Sequence, residues 1–164
     1  MSDADKTYTL DEAHKEFAVQ ANGRVWELLG KEQRSQLEDD ELLYAAYASC
    51  YHWRQVGTGV HQQRGEYMIA KAHISLNNRV ESLRHANRVV ELTEEHKEEM
   101  NDFDFAYAYE IMARSMAMNG DMEKARKYHH KSRKAGDEIA NDEDKKWFDG
   151  DFEGGEWFGL VGVS

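Results

Sequence analysis

The segment HWRQVGTGVHQQRGE, residues 52–66, sets His52 on one side of a Gly-Thr-Gly break and His61, Arg64 and Glu66 on the other. Imidazole, guanidinium and carboxylate are the groups that move protons and hold anions, and a turn at the break brings both flanks into one neighbourhood. The constellation is the first candidate for a small-molecule or metal-dependent active site, with Asp104 as a helper. A plainer account competes with it. Arg64 and Glu66 form surface ion pairs, His61 is a solvated first-turn residue, and Trp53 enters the core. Asp102 and Asp104 suit the start of a helix, where acids complement the dipole, and Glu110 is spaced to pair with Arg114 one turn later. A chemical role for the acids requires that the fold bring them beside His52 or His61. Whether the chain is an enzyme stays open at this point.

Metal chemistry finds little support in local spacing. His129 and His130 are adjacent, so on a helix they point about 100° apart, whereas chelation from one helix needs partners three or four residues apart. His129 is expected on a packing face and His130 in solvent. No His-x3-His and no Glu-x2-His occurs, which removes the zincin pattern and that of the carboxylate-bridged di-iron bundles. The run from Asp149 to Gly154 imitates half a calcium loop, but Leu160 stands where a bidentate glutamate should close it. No cofactor or metal is therefore expected, although a site assembled between helices stays open.

These residues need elements to position them. The chain has 164 residues, no proline and one cysteine, Cys50. That length suits one domain with its own core, and the lone cysteine points to a reducing, cytoplasmic setting. The longest apolar run, Leu42 to Ala48, is too short for a membrane span or signal core, so no membrane partner is expected. A net charge of -11 repels phosphate backbones and argues against nucleic acid.

Thr9-Leu10-Asp11-Glu12 predicts a capping box and a helix that Gly30 ends. The polar KEQRSQLEDD reads as a connection. From about Glu41 to Trp53 apolar residues occupy every side, which predicts a central helix or one covered by a second chain. Thr58 caps a third helix that ends at Asn77-Asn78. Val80, Leu83, Ala86 and Val90 mark a fourth, Asn101 or Asp102 starts a fifth, and Asn119-Gly120-Asp121 turns into a sixth. Asn141-Asp142 caps a short seventh around Trp147 and Phe148. The expected organisation is a flexible N-terminus over 1–8, one helical-hairpin domain over 9–148 and an acidic, aromatic tail over 149–164.

Helices five and six resemble a tetratricopeptide repeat through Tyr109-x2-Met112-Ala113-x2-Met116, Gly120-Asp121 and Ala125-x3-His129. Ser132 stands at the last small position and Asp137 replaces the usual closing proline. Tyr67, Ala70 and Ile74 repeat the pattern more weakly, with Lys71 and Asn87 fitting poorly. Trp53, the GTGVHQQRGE segment and DFDFAYAYE also resemble uncharacterised bacterial proteins of this type. The resemblance implies an all-α fold of six or seven helices in antiparallel hairpins wound into a right-handed superhelix. It implies a groove that binds a protein or peptide partner. In the clearest repeat the expected lining is Tyr107, Glu110, Ile111, Arg114 and Met118. Self-association into a homodimer through helix two or the tail is a further expectation. The tail residues Trp157 to Val163 must pack on the domain or on a second subunit.

Overall fold

The computed structural model describes residues 6–160, and within them the fold is all-α. Seven α-helices follow in order: α1 Leu10–Leu29, α2 Gln36–Val56, α3 Gly59–Ser75, α4 Arg79–Glu95, α5 Asp102–Met118, α6 Met122–Asp137 and α7 Asp142–Glu153. The N-terminal segment expected to be flexible lies mostly outside the described residues, as do Val161 and Val163 of the tail. No described helix is long and apolar enough to cross a membrane.

Capping chemistry sets most of the boundaries. The Thr9 backbone N–H donates to Glu12 Oε2 at 2.8 Å while the Glu12 N–H donates to Thr9 Oγ1 at 3.2 Å, so α1 starts where the capping box predicts. The same exchange between Ser35 and Glu38, at 2.9 and 3.2 Å, corrects the reading of the KEQRSQLEDD stretch. α2 begins inside it, at Gln36. Gly120, with φ +87°, makes the left-handed turn between α5 and α6 that a side chain would resist. α7 continues through Glu153, across the boundary expected at residue 148.

The helices pair as hairpins, α1 with α2, α3 with α4 and α5 with α6. Bonds between them give the antiparallel register. Ser49 Oγ donates to the Ala18 carbonyl of α1, and Ser132 Oγ to the Ala106 carbonyl of α5, each at 2.8 Å. Ser132 therefore fits its small position because a buried hydroxyl finds an acceptor across the hairpin. Ala113 and Ala125, both fully buried, lie where α5 and α6 pack closely. A second set of contacts joins α1 to α3, α3 to α5 and α5 to α7, with nothing comparable among α2, α4 and α6. The odd-numbered helices thus form one layer and the even-numbered helices the other.

The main core runs through both layers, from Val25 and Leu28 across Leu42, Ala46, Ile69 and Val89 to Ile111 and Met112. Gly65 lets α2 and α3 meet there, since a Cβ on it would lie 3.0 Å from Cys50 Sγ. Burial pushes the Cys50 thiol up to about 12, so it packs as a small apolar group. α2 is not the central helix. It buries Leu42, Ala46, Ser49 and Cys50 but leaves Tyr44 74% and Tyr51 59% exposed. Tyrosines counted as apolar had completed its apparent all-round face. α5 takes the central place, because α3, α4, α6 and α7 all contact it.

The described tail packs on its own domain. Leu160 is buried with Ala117 of α5 and Ala125 of α6, and Trp157 packs beside Phe152. Arg114 adds the polar anchors of this segment. Its Nη1 donates to the Glu156 carbonyl at 2.8 Å, and its Nη2 to those of Asp151 and Gly154 at 2.9 Å. The Nε donates to Glu110, and the guanidinium lies 3.8 Å from the centre of the Trp157 ring.

Candidate functional site

A cavity of about 630 Å³ opens on the odd-numbered layer. α1 supplies Trp26, α3 supplies Arg64 and Tyr67, α5 supplies Phe103 and Tyr107, and α7 supplies Trp147; Trp53 of α2 and His61 complete the aromatic wall. Trp26 and Trp147 remain 45% and 68% exposed, so the wall has free apolar surface. Lys71 lies 5.5 Å from the Trp26 ring centre and 5.7 Å from that of Tyr67, which explains a lysine where the repeat pattern wanted a small residue.

Three of the five candidate catalytic residues meet here: His61, Arg64 and Asp104. Arg64 Nε and Nη2 donate to the two carboxylate oxygens of Asp104 at 2.9 Å, a bidentate pair in which Asp104 is buried and Arg64 half-exposed. Asp104 also accepts the Asn101 N–H at 2.9 Å, which starts α5. His61 accepts the Thr58 N–H at 3.1 Å on Nδ1, starting α3, and stacks on Trp53 with ring centres 4.3 Å apart. Burial, then the nearby Arg64 charge, lowers the His61 pKa and keeps the ring neutral.

The other two candidates point elsewhere. His52 Nδ1 sits 2.8 Å from His14 Nδ1 of α1, beside Phe17. Glu66 reaches His85 of α4 at 2.5 Å. The helical period separates them, since Arg64 and Glu66 lie two residues apart on α3 and face opposite layers.

Of the expected groove residues, Tyr107 lines the cavity and donates its hydroxyl to Asp151 Oδ2 at 2.7 Å. Burial, followed by that carboxylate, raises the phenol pKa far above its ordinary value. Glu110, Ile111 and Arg114 are buried rather than displayed, at 1%, 1% and 5% exposure: Ile111 belongs to the main core, and the end of α7 and the tail cover Arg114 and its partner Glu110. Tyr67 links the two regions by donating to Glu110 Oε2 at 3.1 Å. Met118 is half-buried, and its sulfur accepts from Ser82 of α4 at 3.6 Å. His129 packs between Phe152 and Trp157, with ring centres 4.7 and 4.8 Å away, and His130 is exposed.

Sequence reasoning missed Trp26, Trp147 and Asp151 as part of one wall. The tryptophans of α1 and α7 are visible in the sequence, but nothing local says that these helices share a layer. No protein-family model matches the chain, and comparison with curated proteins and with solved structures finds no match.

Proposed function

We propose that the protein is a tetratricopeptide-like interaction module of the cytoplasm, which holds an extended segment of a partner protein along its odd-numbered helices. The observation that carries this reading is the aromatic cavity spanning α1, α3, α5 and α7, with the half-exposed Arg64 anchored by Asp104 on its wall. An aromatic or large aliphatic side chain of the partner fits between Trp26, Trp53 and Trp147. Arg64 uses Nε and Nη2 on Asp104, leaving Nη1 for a carbonyl or carboxylate of the bound segment.

Catalysis in the same cavity is the weaker reading. The Asp104 carboxylate is held by Arg64 and a backbone N–H, and His61 Nδ1 by the Thr58 N–H, so both groups already serve helix starts. For a second copy of the chain, the available surface is the α2 face bearing Tyr44 and Tyr51, since residues 157–160 pack on their own α5 and α6.

Substitution in the wall tests the proposal. Trp147→Glu changes a side chain that is 68% exposed and should leave the melting temperature nearly unchanged. Partner capture from lysate, followed by direct titration with the captured protein, is expected to show at least tenfold weaker binding for Trp147→Glu and for Arg64→Gln. Equal affinity for all three forms would move the binding surface off this cavity.

A further inference from the structure

Outside the cavity, the turn after α3 sets His73, near the end of that helix, beside Glu81 and His85 of α4. Their ligating atoms all lie within 4.8 Å of one another. Tyr47 of α2 closes the group, its hydroxyl 3.0 Å from His73 Nε2 and 2.9 Å from His85 Nε2. The two imidazoles are nearly parallel, at 12° with centres 5.6 Å apart. Both Nε2 atoms lie on the side of the rings that faces the Tyr47 oxygen.

The outer ring nitrogens are held as metal-bound imidazoles require. His85 Nδ1 lies 2.5 Å from Glu66 Oε2, and a carboxylate only accepts, so the proton sits on Nδ1 and the Nε2 lone pair faces the group. His73 Nδ1 lies 3.2 Å from the Asn78 amide, which by a half-turn offers its oxygen to an Nδ1–H. A neutral hydrogen-bond chain also satisfies the rings: His73 donates to the Tyr47 oxygen and Tyr47 donates to His85. That chain has no use for Glu81. Glu81 is 42% exposed at its side chain and, among the described residues, is engaged by Arg84 alone, through Oε2 at 3.3 Å, which leaves Oε1 to turn inward.

We propose that His73, His85 and Glu81 form a binding site for a divalent first-row transition-metal ion such as zinc. Two imidazoles and one carboxylate suit that class better than magnesium or calcium, which prefer all-oxygen sets. Zinc bonds of about 2.1 Å place tetrahedral ligands roughly 3.4 Å apart, so the three side chains close by small rotations. The Tyr47 oxygen, which stands between the two Nε2 atoms, swings aside to admit the ion and leaves the fourth position to water. Because Tyr47 comes from α2, an ion here ties the first hairpin to the turn of the second.

Calorimetric titration of the metal-free full chain with zinc, and with cobalt followed by visible absorption, tests the site. One ion per chain is expected, with a rise in melting temperature. Glu81→Gln, which removes no core contact, should weaken zinc binding at least tenfold without lowering the melting temperature of the metal-free protein. His85→Gln should weaken it at least a hundredfold, and His130→Ala, on the exposed side of α6, should leave it unchanged. Absence of stoichiometric binding, or affinity unaltered by Glu81→Gln, overturns the proposal in favour of the hydrogen-bond chain.

Discussion

α5 supplies the acid of two acid–arginine pairs that have opposite surroundings. Near its start, Asp104 holds Arg64 in the cavity wall with the arginine side chain 43% exposed. Two turns later Glu110 holds Arg114, with side-chain exposures of 2% and 6%. The chemistry is the same and the consequence differs. Arg114 spends its donors on carbonyls of the segment leaving α7, whereas Arg64 uses Nε and Nη2 on Asp104 and makes no hydrogen bond at Nη1 among the described residues. An enclosed pair is coupled to folding because removing one partner strands a charge without water, whereas in the cavity pair only Asp104 is enclosed, and it keeps a backbone N–H and gains access to cavity water when the exposed arginine is removed. The first kind builds the molecule and the second can serve a ligand.

The largest effect is therefore expected at Arg114. Arg114→Ala leaves Glu110 buried and unpaired and frees the tail, at a cost of about 3–5 kcal/mol. Arg64→Ala should cost only about 1 kcal/mol, because Asp104 keeps the Asn101 N–H. Urea unfolding of both variants measures the difference. Similar losses in the two would erase the distinction between structural and ligand-ready pairs.

Acidification sharpens the same contrast more gently. Burial lowers the His129 pKa first of all, with Arg114 and Arg133 adding to it, so the folded protein holds this ring neutral. The unfolded chain takes up a proton near 6.5 and the folded chain only below that. Stability from this group is thus complete above 6.5 and is lost as pH falls through the folded value. Unfolding measured at pH 7.5 and 5.5 should show a decline that His129→Gln reduces. An identical decline in both proteins would mean that the ring titrates as if exposed and that the packing against Phe152 and Trp157 is loose.

How much of this was legible in the chain depends on how far apart the cooperating residues lie. Caps at Thr9, Thr58 and Asn101 and the turn at Gly120 are written within four residues, and the helices begin or turn there. The pairing of Glu110 with Arg114 was also visible as a one-turn spacing, yet its burial was not. The segment covering it begins about 40 residues later and follows no periodic rule. Glu66 illustrates the same limit, because it sits two positions from Arg64 on α3 and yet its side chain faces α4 of the other layer. Among the residues of the proposed metal site, only Glu81 and His85 left a local trace. They stand one turn apart on α4, a spacing that a search for Glu-x2-His passes over.

The smallest effect concerns whether the enclosed half of α5 is dry. Ser115, next to Arg114 in sequence, is fully buried, and its hydroxyl has no hydrogen-bond partner among the described residues. A buried hydroxyl in that state loses its hydration for nothing, and serine is also a poorer helix former than alanine. Ser115→Ala should therefore raise stability, by roughly 0.5 kcal/mol from helix preference alone. Chemical unfolding of this variant alone and combined with Arg114→Ala gives the test. Destabilisation by Ser115→Ala would mean that the hydroxyl bonds an internal water, so that the packed interior of α5 is not dry. A gain that persists in the double variant would show instead that the dryness belongs to the α5 packing itself and does not depend on the tail being latched in place.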